Sequence, residues 1–179
     1  MKIEDIKIVK YELVDGVATM SHSFIKLLFK RIISDGLRDV FFYSNDESYN
    51  EVDFLKLFIS NYAHLYVAIT SEDVVALAYL TKRINNTAEI HLIVLKDYWG
   101  TISHEIANMF FKLLFNREKY QLVWGIVPTT HTYVLDTAKR FGAVHLGDIP
   151  NSIAVNGKEE NVSGSYFYVS KEDFMKKEI

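Results

Sequence analysis

The 179-residue sequence has no cysteine, no long apolar run and no large excess of either charge. Without cysteine, disulfide bonds, thiolate metal sites and a cysteine nucleophile are excluded. Every apolar run is shorter than the roughly 18 to 20 residues that a membrane-spanning helix needs. The amino-terminal MKIEDIKIVK also lacks the apolar core of a signal peptide. We therefore expect a cytoplasmic protein with no membrane partner.

The charge balance limits the partners further. Twenty basic and twenty-three acidic residues give a formal net charge of -3. Proteins that bind nucleic acid generally carry a clear basic excess, so we expect no nucleic-acid partner. The histidines lie on separate predicted elements without the H-x-x-x-H spacing of a metal site, so we expect no metal. G-x-S-x-G, G-x-x-x-x-G-K-[ST] and G-x-G-x-x-G motifs are also missing.

What is present is enough apolar material for one folded unit. Apolar residues make up 49% of the chain and aromatic residues 14%. A chain of this size buries a sizeable core, and it shows no repeat, low-complexity tract or linker. We therefore predict one domain that covers residues 1–179.

Local patterns predict the order of elements. IEDIKIVKYELV indicates a first strand, and TMSHSFIKLLFKRIISDG an amphipathic helix that Gly36 ends. A second helix is predicted to begin near Asp53, taken as its N-cap. HLYVAIT, VVALAYLTKR and TAEIHLIVL are typical of an antiparallel meander. ISHEIANMFFKLLFN predicts a helix, QLVWGIV a strand, THTYVLDTAKRFG a helix ending at Gly142, and AVHLGDI and GSYFYVS two strands.

The predicted order is β-α-α-β-β-β-α-β-α-β-β, an α/β (α+β) fold with a mixed, mostly antiparallel sheet and helices on both faces. This order, with VLKDYWGT before one helix and KRFGA at the end of the next, resembles the GNAT superfamily of acetyl-coenzyme A (acetyl-CoA)-dependent N-acetyltransferases. The resemblance implies acetyl-CoA as co-substrate and direct transfer to a small-molecule or peptide amine in a ternary complex. The resemblance is also compatible with a homodimer.

The family's coenzyme loop, Arg/Gln-x-x-Gly-x-Gly/Ala, falls on residues 99–104, where Trp, Ile and His replace the three signature residues. An anion at a helix N-terminus is held by backbone N–H groups and the helix dipole, which most residues supply. The alternative is an ordinary strand-to-helix turn. The resemblance implies a coenzyme-binding set of Val94, Leu95, Trp99, Gly100, Thr101, Ile102, Ser103, His104 and, at the family's Asn position, His131.

Candidate catalytic residues lie on the strand before this loop. Glu89 and His91 share one face of TAEIHLIVL, and a carboxylate or an imidazole can take the proton that an attacking amine must lose. AEI resembles the position of a glutamate base in some family members, so Glu89 is the preferred base. The alternatives are a solvated Glu89 and a His91 that is hydrogen-bonded between packed layers. In the family a tyrosine commonly protonates the departing coenzyme thiolate, and Ala138 stands at its position here. His131, Tyr98 or water would then have to donate that proton.

The acceptor side is less specific. YSNDESYNEVD carries Asp46, Glu47, Glu51 and Asp53 without a basic residue, a charge pattern that can attract a cationic amine. A solvated acidic loop is the alternative. Two functions follow: an active N-acetyltransferase, or a GNAT-shaped binding or structural module that has lost catalysis together with its signature residues.

Overall fold

The computed structural model describes residues 3–42, 48–100, 102–155 and 160–176. Seven strands form one sheet in the order β1-β4-β5-β6-β7-β9-β8, and β2 and β3 form a separate short hairpin. The strands are β1 (Lys7–Lys10), β2 (Leu13–Val14), β3 (Val17–Ala18), β4 (His64–Ile69), β5 (Val74–Ile84), β6 (Thr87–Val94), β7 (Leu122–Pro128), β8 (Val144–Ile153) and β9 (Val162–Ser170). All neighbours in the sheet are antiparallel except β6 and β7.

Helices cover both faces of the sheet. They are α1 (His22–Ser34), α2 (Arg38–Phe41), α3 (Glu51–Ile59), α4 (Ser103–Lys112), α5 (Thr132–Phe141) and α6 (Lys171–Lys176). A π-helical turn, Leu113–Arg117, continues α4, and single 3₁₀ turns occur at Ile3–Asp5 and Lys96–Tyr98. None of the helices in the described ranges is long and apolar enough to cross a membrane.

Capping residues fix where the helices begin and end. The Ser21 hydroxyl accepts the Phe24 N–H at the start of α1. At α3 the Asn50 side chain accepts the Val52 N–H at 2.8 Å, so Asn50 is the N-cap. The prediction that Asp53 caps this helix is therefore wrong. Gly142 ends α5 with φ 85°, a left-handed conformation that favours glycine, as the sequence predicted.

Alternation along the strands sends side chains into two separate cores. Leu65, Val67 and Leu77 pack against α1, α2 and α3 on one face. Tyr66 and Ala78 point to the other face, where they join the apolar side chains of α4, its π turn and α6. Successive strand residues face opposite sides of the sheet, and both sides are buried. The sequence of each central strand is therefore a nearly continuous apolar run.

The predicted fold is confirmed: a mixed, mostly antiparallel sheet with helices on both faces in the expected order. The structure adds three short elements that the sequence did not indicate, namely the β2–β3 hairpin, α2 and α6. The first predicted strand is also shorter than expected, because a 3₁₀ turn occupies its start and β2 its end.

Candidate active site

The sheet is split between β6 and β7. These parallel strands are paired only where residues 87–89 lie opposite residues 122–124. Beyond Glu89, β6 stays paired with β5 and β7 with β9, so a gap opens between β6 and β7 toward their carboxyl ends. Gly125 stands at the start of the gap, where an added Cβ would lie 3.4 Å from the Ile90 carbonyl oxygen.

This gap, with the first turns of α4 and α5, forms a cavity of about 560 Å³ that we call the inter-strand cleft. Its walls are β6, β7, β9, α4 and α5. Along the edges of β6 and β7 that face the gap, backbone N–H and C=O groups are not hydrogen-bonded to a neighbouring strand. An extended chain with amide groups would find hydrogen-bonding partners there.

The N-terminus of α4 lies at the cleft. The first bond within the helix runs from the Ile106 N–H to the Ile102 oxygen, so the amides of Ser103, His104 and Glu105 have no acceptor inside the helix. Ile102 is the N-cap residue, and among the described residues no side chain accepts a capping hydrogen bond from this first turn. Ser103 and His104 line the cleft. These amides and the helix dipole provide what an anion such as a diphosphate requires.

Most of the proposed coenzyme-binding residues that the structure describes lie at this cleft. Its lining includes Val94, Trp99, Ser103, His104 and His131.

The remaining members of that set lie elsewhere. The Leu95 side chain is fully buried in the core beneath α1 to α3, and its N–H donates to the Val75 oxygen. Ile102 packs against the opposite core. Gly100 forms the turn before α4 with φ 78°, and its N–H donates to the Ser103 hydroxyl at 3.2 Å. Thr101 lies outside the described residues.

Two aromatic rings meet across the outer part of the cleft. The Trp99 indole N–H donates to the Val94 carbonyl at 2.7 Å, which holds this ring against the end of β6. The ring centroids of Trp99 and Tyr133 are 6.3 Å apart, and the side chains are 44% and 54% exposed. The pair therefore connects the loop before α4 with the first turn of α5.

The two side chains suggested as sources of a proton, His131 and Tyr98, are placed differently. His131 lines the cleft, as does Ala138 at the family's tyrosine position. Tyr98 does not, because its hydroxyl donates to Asp73 at 2.9 Å. Burial, followed by this hydrogen bond and the negative charge of Asp73, raises the pKa of Tyr98. The structure therefore brings His131, and not Tyr98, to the cleft.

Glu89 is a buried carboxylate with three partners. It is 4% exposed, and its Oε2 atom accepts the Thr81 hydroxyl at 2.8 Å. Lys82 Nζ lies 3.2 Å and His91 Nε2 3.6 Å from the same oxygen. Burial alone would raise the pKa of Glu89, but the hydrogen bonds and charges of these partners outweigh burial and lower the pKa to about 2.

Thr81 also fixes the tautomer of His91. Its hydroxyl has one hydrogen, which goes to the Glu89 carboxylate because an ionised carboxylate only accepts. Thr81 Oγ1 lies 3.3 Å from His91 Nε2, so in this contact Nε2 is the donor. Neutral His91 then carries its proton on Nε2 and its lone pair on Nδ1. The ring is stacked on Tyr79, with centroids 4.4 Å apart and planes 13° apart, which holds its orientation.

Glu89 and His91 also line a second cavity of about 400 Å³, here called the aromatic pocket. Its described lining is Phe41, Phe42, Tyr49, Tyr79, Lys82, Glu89, His91, Trp124, Ile126, Ser152, Ile153, Ala154 and Tyr166. Four of these residues also line the inter-strand cleft, namely Phe41, His91, Trp124 and Ile126. The two cavities therefore meet beside His91.

The acidic segment expected to attract a cation contributes no carboxylate to the described lining. Glu51 lies 3.5 Å from Lys30, and Asp53 lies 3.0 Å from Lys56. Asp46 and Glu47 lie outside the described residues. Within the described ranges, no group of three or more His, Asp or Glu side chains is arranged to hold a metal ion.

A sheet split between two parallel strands, with a helix starting at the split, gives this chain the fold of the GNAT N-acetyltransferases. The resemblance seen in the sequence is thus confirmed at the level of the fold.

Solved structures of spermidine N-acetyltransferase SpeG from Vibrio cholerae superpose on nearly the whole chain. A point mutant of that enzyme matches with a TM-score of 0.75 and 12% identity over 98% of this chain and 99% of that chain. A complex of that enzyme with CoA and spermine matches with a TM-score of 0.74 and 12% identity, over 96% of this chain and 99% of that chain. A dodecameric form in an intermediate state matches with a TM-score of 0.73 and 12% identity, over 98% of this chain and 99% of that chain. No protein-family model and no curated protein sequence matches the chain.

Proposed function

We propose that this protein transfers an acetyl group from acetyl-CoA to a primary amine, within one N-acetyltransferase domain that covers residues 1–179. The observation that carries the proposal is the meeting of the two cavities beside His91. A donor in the inter-strand cleft and an acceptor in the aromatic pocket would bring their reacting ends together at this point. Such placement is a large part of what an enzyme supplies in a two-substrate reaction.

The cleft fits the chemistry of the coenzyme. Its free strand edge suits the amides of the pantetheine arm, and the first-turn amides of Ser103, His104 and Glu105 suit the diphosphate. When bound, acetyl-CoA supplies an acyl group activated as a thioester. Three signature residues are changed, but backbone amides rather than side chains supply these contacts.

His91 is better suited than Glu89 to take the proton of the acceptor. A carboxyl group with a pKa of about 2 lies roughly five units below neutral pH, so Glu89 is a weak base there. His91 lines both cavities, and because Thr81 and Glu89 hold its Nε2 side, Nδ1 is the ring nitrogen left to accept a proton. In this arrangement His91 accepts the proton and Glu89, as a positioning residue, stabilises the imidazolium.

The bonds balance without an enzyme-bound intermediate. The amine nitrogen forms a bond to the acyl carbon, the C–S bond breaks, and the thiolate leaves with the electron pair. One amine proton goes to His91, and the thiolate takes up a proton from His131 or from water. The products are an amide and a free thiol, with no net oxidation or reduction.

A change of charge at Ser103 tests the coenzyme site. Ser103→Asp adds a carboxylate to the first turn of α4, where it favours the helix but repels a diphosphate. Ser103→Asn has the same size and no charge. By calorimetry we expect Ser103→Asp to weaken coenzyme A binding at least about tenfold relative to Ser103→Asn, without a loss of thermal stability. Equal affinities, or no binding by the unmodified protein at high micromolar coenzyme A, would overturn the proposal.

The second candidate is a catalytically inactive GNAT-like module. Ala138 in place of the tyrosine acid and the three substitutions in the coenzyme loop favour it. Release of free thiol from acetyl-CoA in the presence of an amine panel separates the two functions. Coenzyme binding without amine-dependent thiol release would select the module.

A further inference from the structure

The aromatic pocket has no spare negative charge in its described lining. Glu89 is the one carboxylate there, and it is paired with Lys82. One positive and one negative side chain leave the described lining formally neutral while His91 is neutral. A substrate with several ammonium groups would therefore lose hydration in this pocket without gaining counter-charges from these residues.

The pocket is instead rich in aromatic rings. Six of its thirteen described lining residues are aromatic: Phe41, Phe42, Tyr49, Tyr79, Trp124 and Tyr166. Aromatic faces can also bind cations, but Trp124 and Tyr79 already contact a basic side chain of the protein. Lys82 Nζ lies 5.2 Å from the centre of the Trp124 ring, and His91 is stacked on Tyr79. The remaining ring surface is suited to an apolar, flat group.

The rings and the reactive end lie at different places in the pocket. His91 and Trp124 are shared with the inter-strand cleft, whereas Phe42, Tyr49 and Tyr166 line the aromatic pocket alone. An acceptor whose nitrogen approaches His91 would therefore place the rest of its structure among these three rings.

We infer that the acceptor is an aryl-alkyl monoamine: one primary amine joined by a short linker to an aromatic ring. The inference rests on the proposed function and names its substrate class. Once the single amine has lost its proton, the bound acceptor carries no charge, which agrees with the formal neutrality and the aromatic content of the described lining. The solved structures of similar fold reported above are named for spermidine, a polyamine, so the inferred substrate class differs from theirs.

Acceptor preference tests the inference directly. The 179-residue protein is assayed by thiol release with acetyl-CoA and phenethylamine, hexylamine or spermidine. We expect kcat/KM for phenethylamine to exceed that for spermidine at least tenfold and that for hexylamine several-fold. A preference for spermidine would overturn the inference and leave the proposed function intact. A dipeptide with N-terminal phenylalanine carries the same chemistry, and a higher kcat/KM for it would assign a peptide source.

Tyr166 provides matched variants, because it lines the aromatic pocket and not the inter-strand cleft. Tyr166→Leu removes the ring and should raise KM for phenethylamine about five- to tenfold, with coenzyme A affinity unchanged. Tyr166→Phe keeps the ring and should leave both values within twofold of the unmodified protein. Equal KM values for the Leu and Phe variants would contradict a ring-binding pocket.

Direct binding separates the two proposals when no amine is acetylated. Calorimetry then compares phenethylamine with spermidine on the unmodified protein and on Tyr166→Leu. Saturable phenethylamine binding that Tyr166→Leu weakens would uphold the pocket assignment while acetyl transfer fails. Absence of phenethylamine binding, or tighter spermidine binding, would overturn the pocket assignment as well.

Discussion

At the scale of single residues, Glu89 links stability to pH. Its pKa of about 2 in the folded chain lies below the ordinary 4.5, so its ionised form stabilises the fold. This stabilisation is complete above about pH 4.5 and is lost as pH falls toward 2; it amounts to roughly 3 kcal/mol. In urea unfolding, Glu89→Gln should be less stable than the unmodified protein at pH 7, and the difference should shrink by pH 3.

The exposed Glu72 provides the control, since Glu72→Gln should differ little from the unmodified protein at either pH. If the loss in Glu89→Gln were the same at pH 7 and pH 3, the Glu89 carboxylate would not be stabilised by its charge.

A second prediction at this scale distinguishes the two members of the Glu89–His91 pair. Loss of a positioned general base typically lowers kcat by a factor of 10² to 10⁴. We expect His91→Gln to lower kcat by about 10² or more at neutral pH. Glu89→Gln should lower it less, because the charged imidazole loses its carboxylate partner while His91 remains to accept the proton.

The exposed pair of His145 and Asp148, 2.9 Å apart on β8, offers a comparison outside the catalytic pair. His145→Gln should leave kcat and its pH profile unchanged. A severe loss in Glu89→Gln together with a mild one in His91→Gln would instead make Glu89 the base, as the sequence alone suggested.

At the scale of elements, the contact of Trp99 with Tyr133 connects the two helix starts that border the cleft. A coenzyme running from the strands to the N-terminus of α4 would meet these rings, because both line the cleft together with Ser103 and His104. An aromatic pair of this kind contributes about 0.5 to 1.5 kcal/mol. Trp99→Ala removes that contact, so it should bind coenzyme A about two- to tenfold more tightly by calorimetry.

Tyr133→Phe keeps the ring contact and serves as the matched control, with an affinity close to that of the unmodified protein. If Trp99→Ala bound coenzyme A more weakly than this control, the Trp99 ring would contact the bound coenzyme rather than close the cleft.

Long periodic elements were predictable from sequence, and short ones were not. The strands β4 to β7 and the helices α1, α4 and α5 each contain enough residues for a 2.0 or 3.6 period to show. The hairpin β2–β3 has two residues in each strand and α2 has four, which is too few for a period. Asn50 and Asp53 are both good N-cap residue types, and the extended backbone of Asn50, with φ -134° and ψ -177°, decides between them.

The candidate site was predictable only in part, because it depends on how strands are paired. The period of β6 places Glu89 and His91 on one face, and this is local information. Their partners come from β5, where the register sets Thr81 opposite Glu89 and Tyr79 opposite His91. Register is a property of two strands, so the sequence of β6 could not show that Glu89 is buried and paired.

At the scale of the whole molecule, the split sheet connects its two faces. Ile90 and Leu92 of the inter-strand cleft belong to the side of the sheet that α4 covers. Phe41 and Tyr79 of the aromatic pocket belong to the side that α1 to α3 cover. A continuous sheet would keep these cavities apart. Because β6 and β7 separate after Glu89, ligands from the two faces can meet beside His91.

This architecture predicts the order of events in catalysis. Two adjoining cavities allow both substrates to be bound at once, and the chain has no cysteine to carry an acyl group. Initial rates measured over a grid of acetyl-CoA and amine concentrations should therefore give intersecting double-reciprocal lines, as a ternary complex requires. Mass spectrometry after incubation with acetyl-CoA alone should show no acetylated active-site side chain. Parallel lines together with an acetyl adduct that amine removes would instead establish a covalent intermediate and exclude direct transfer beside His91.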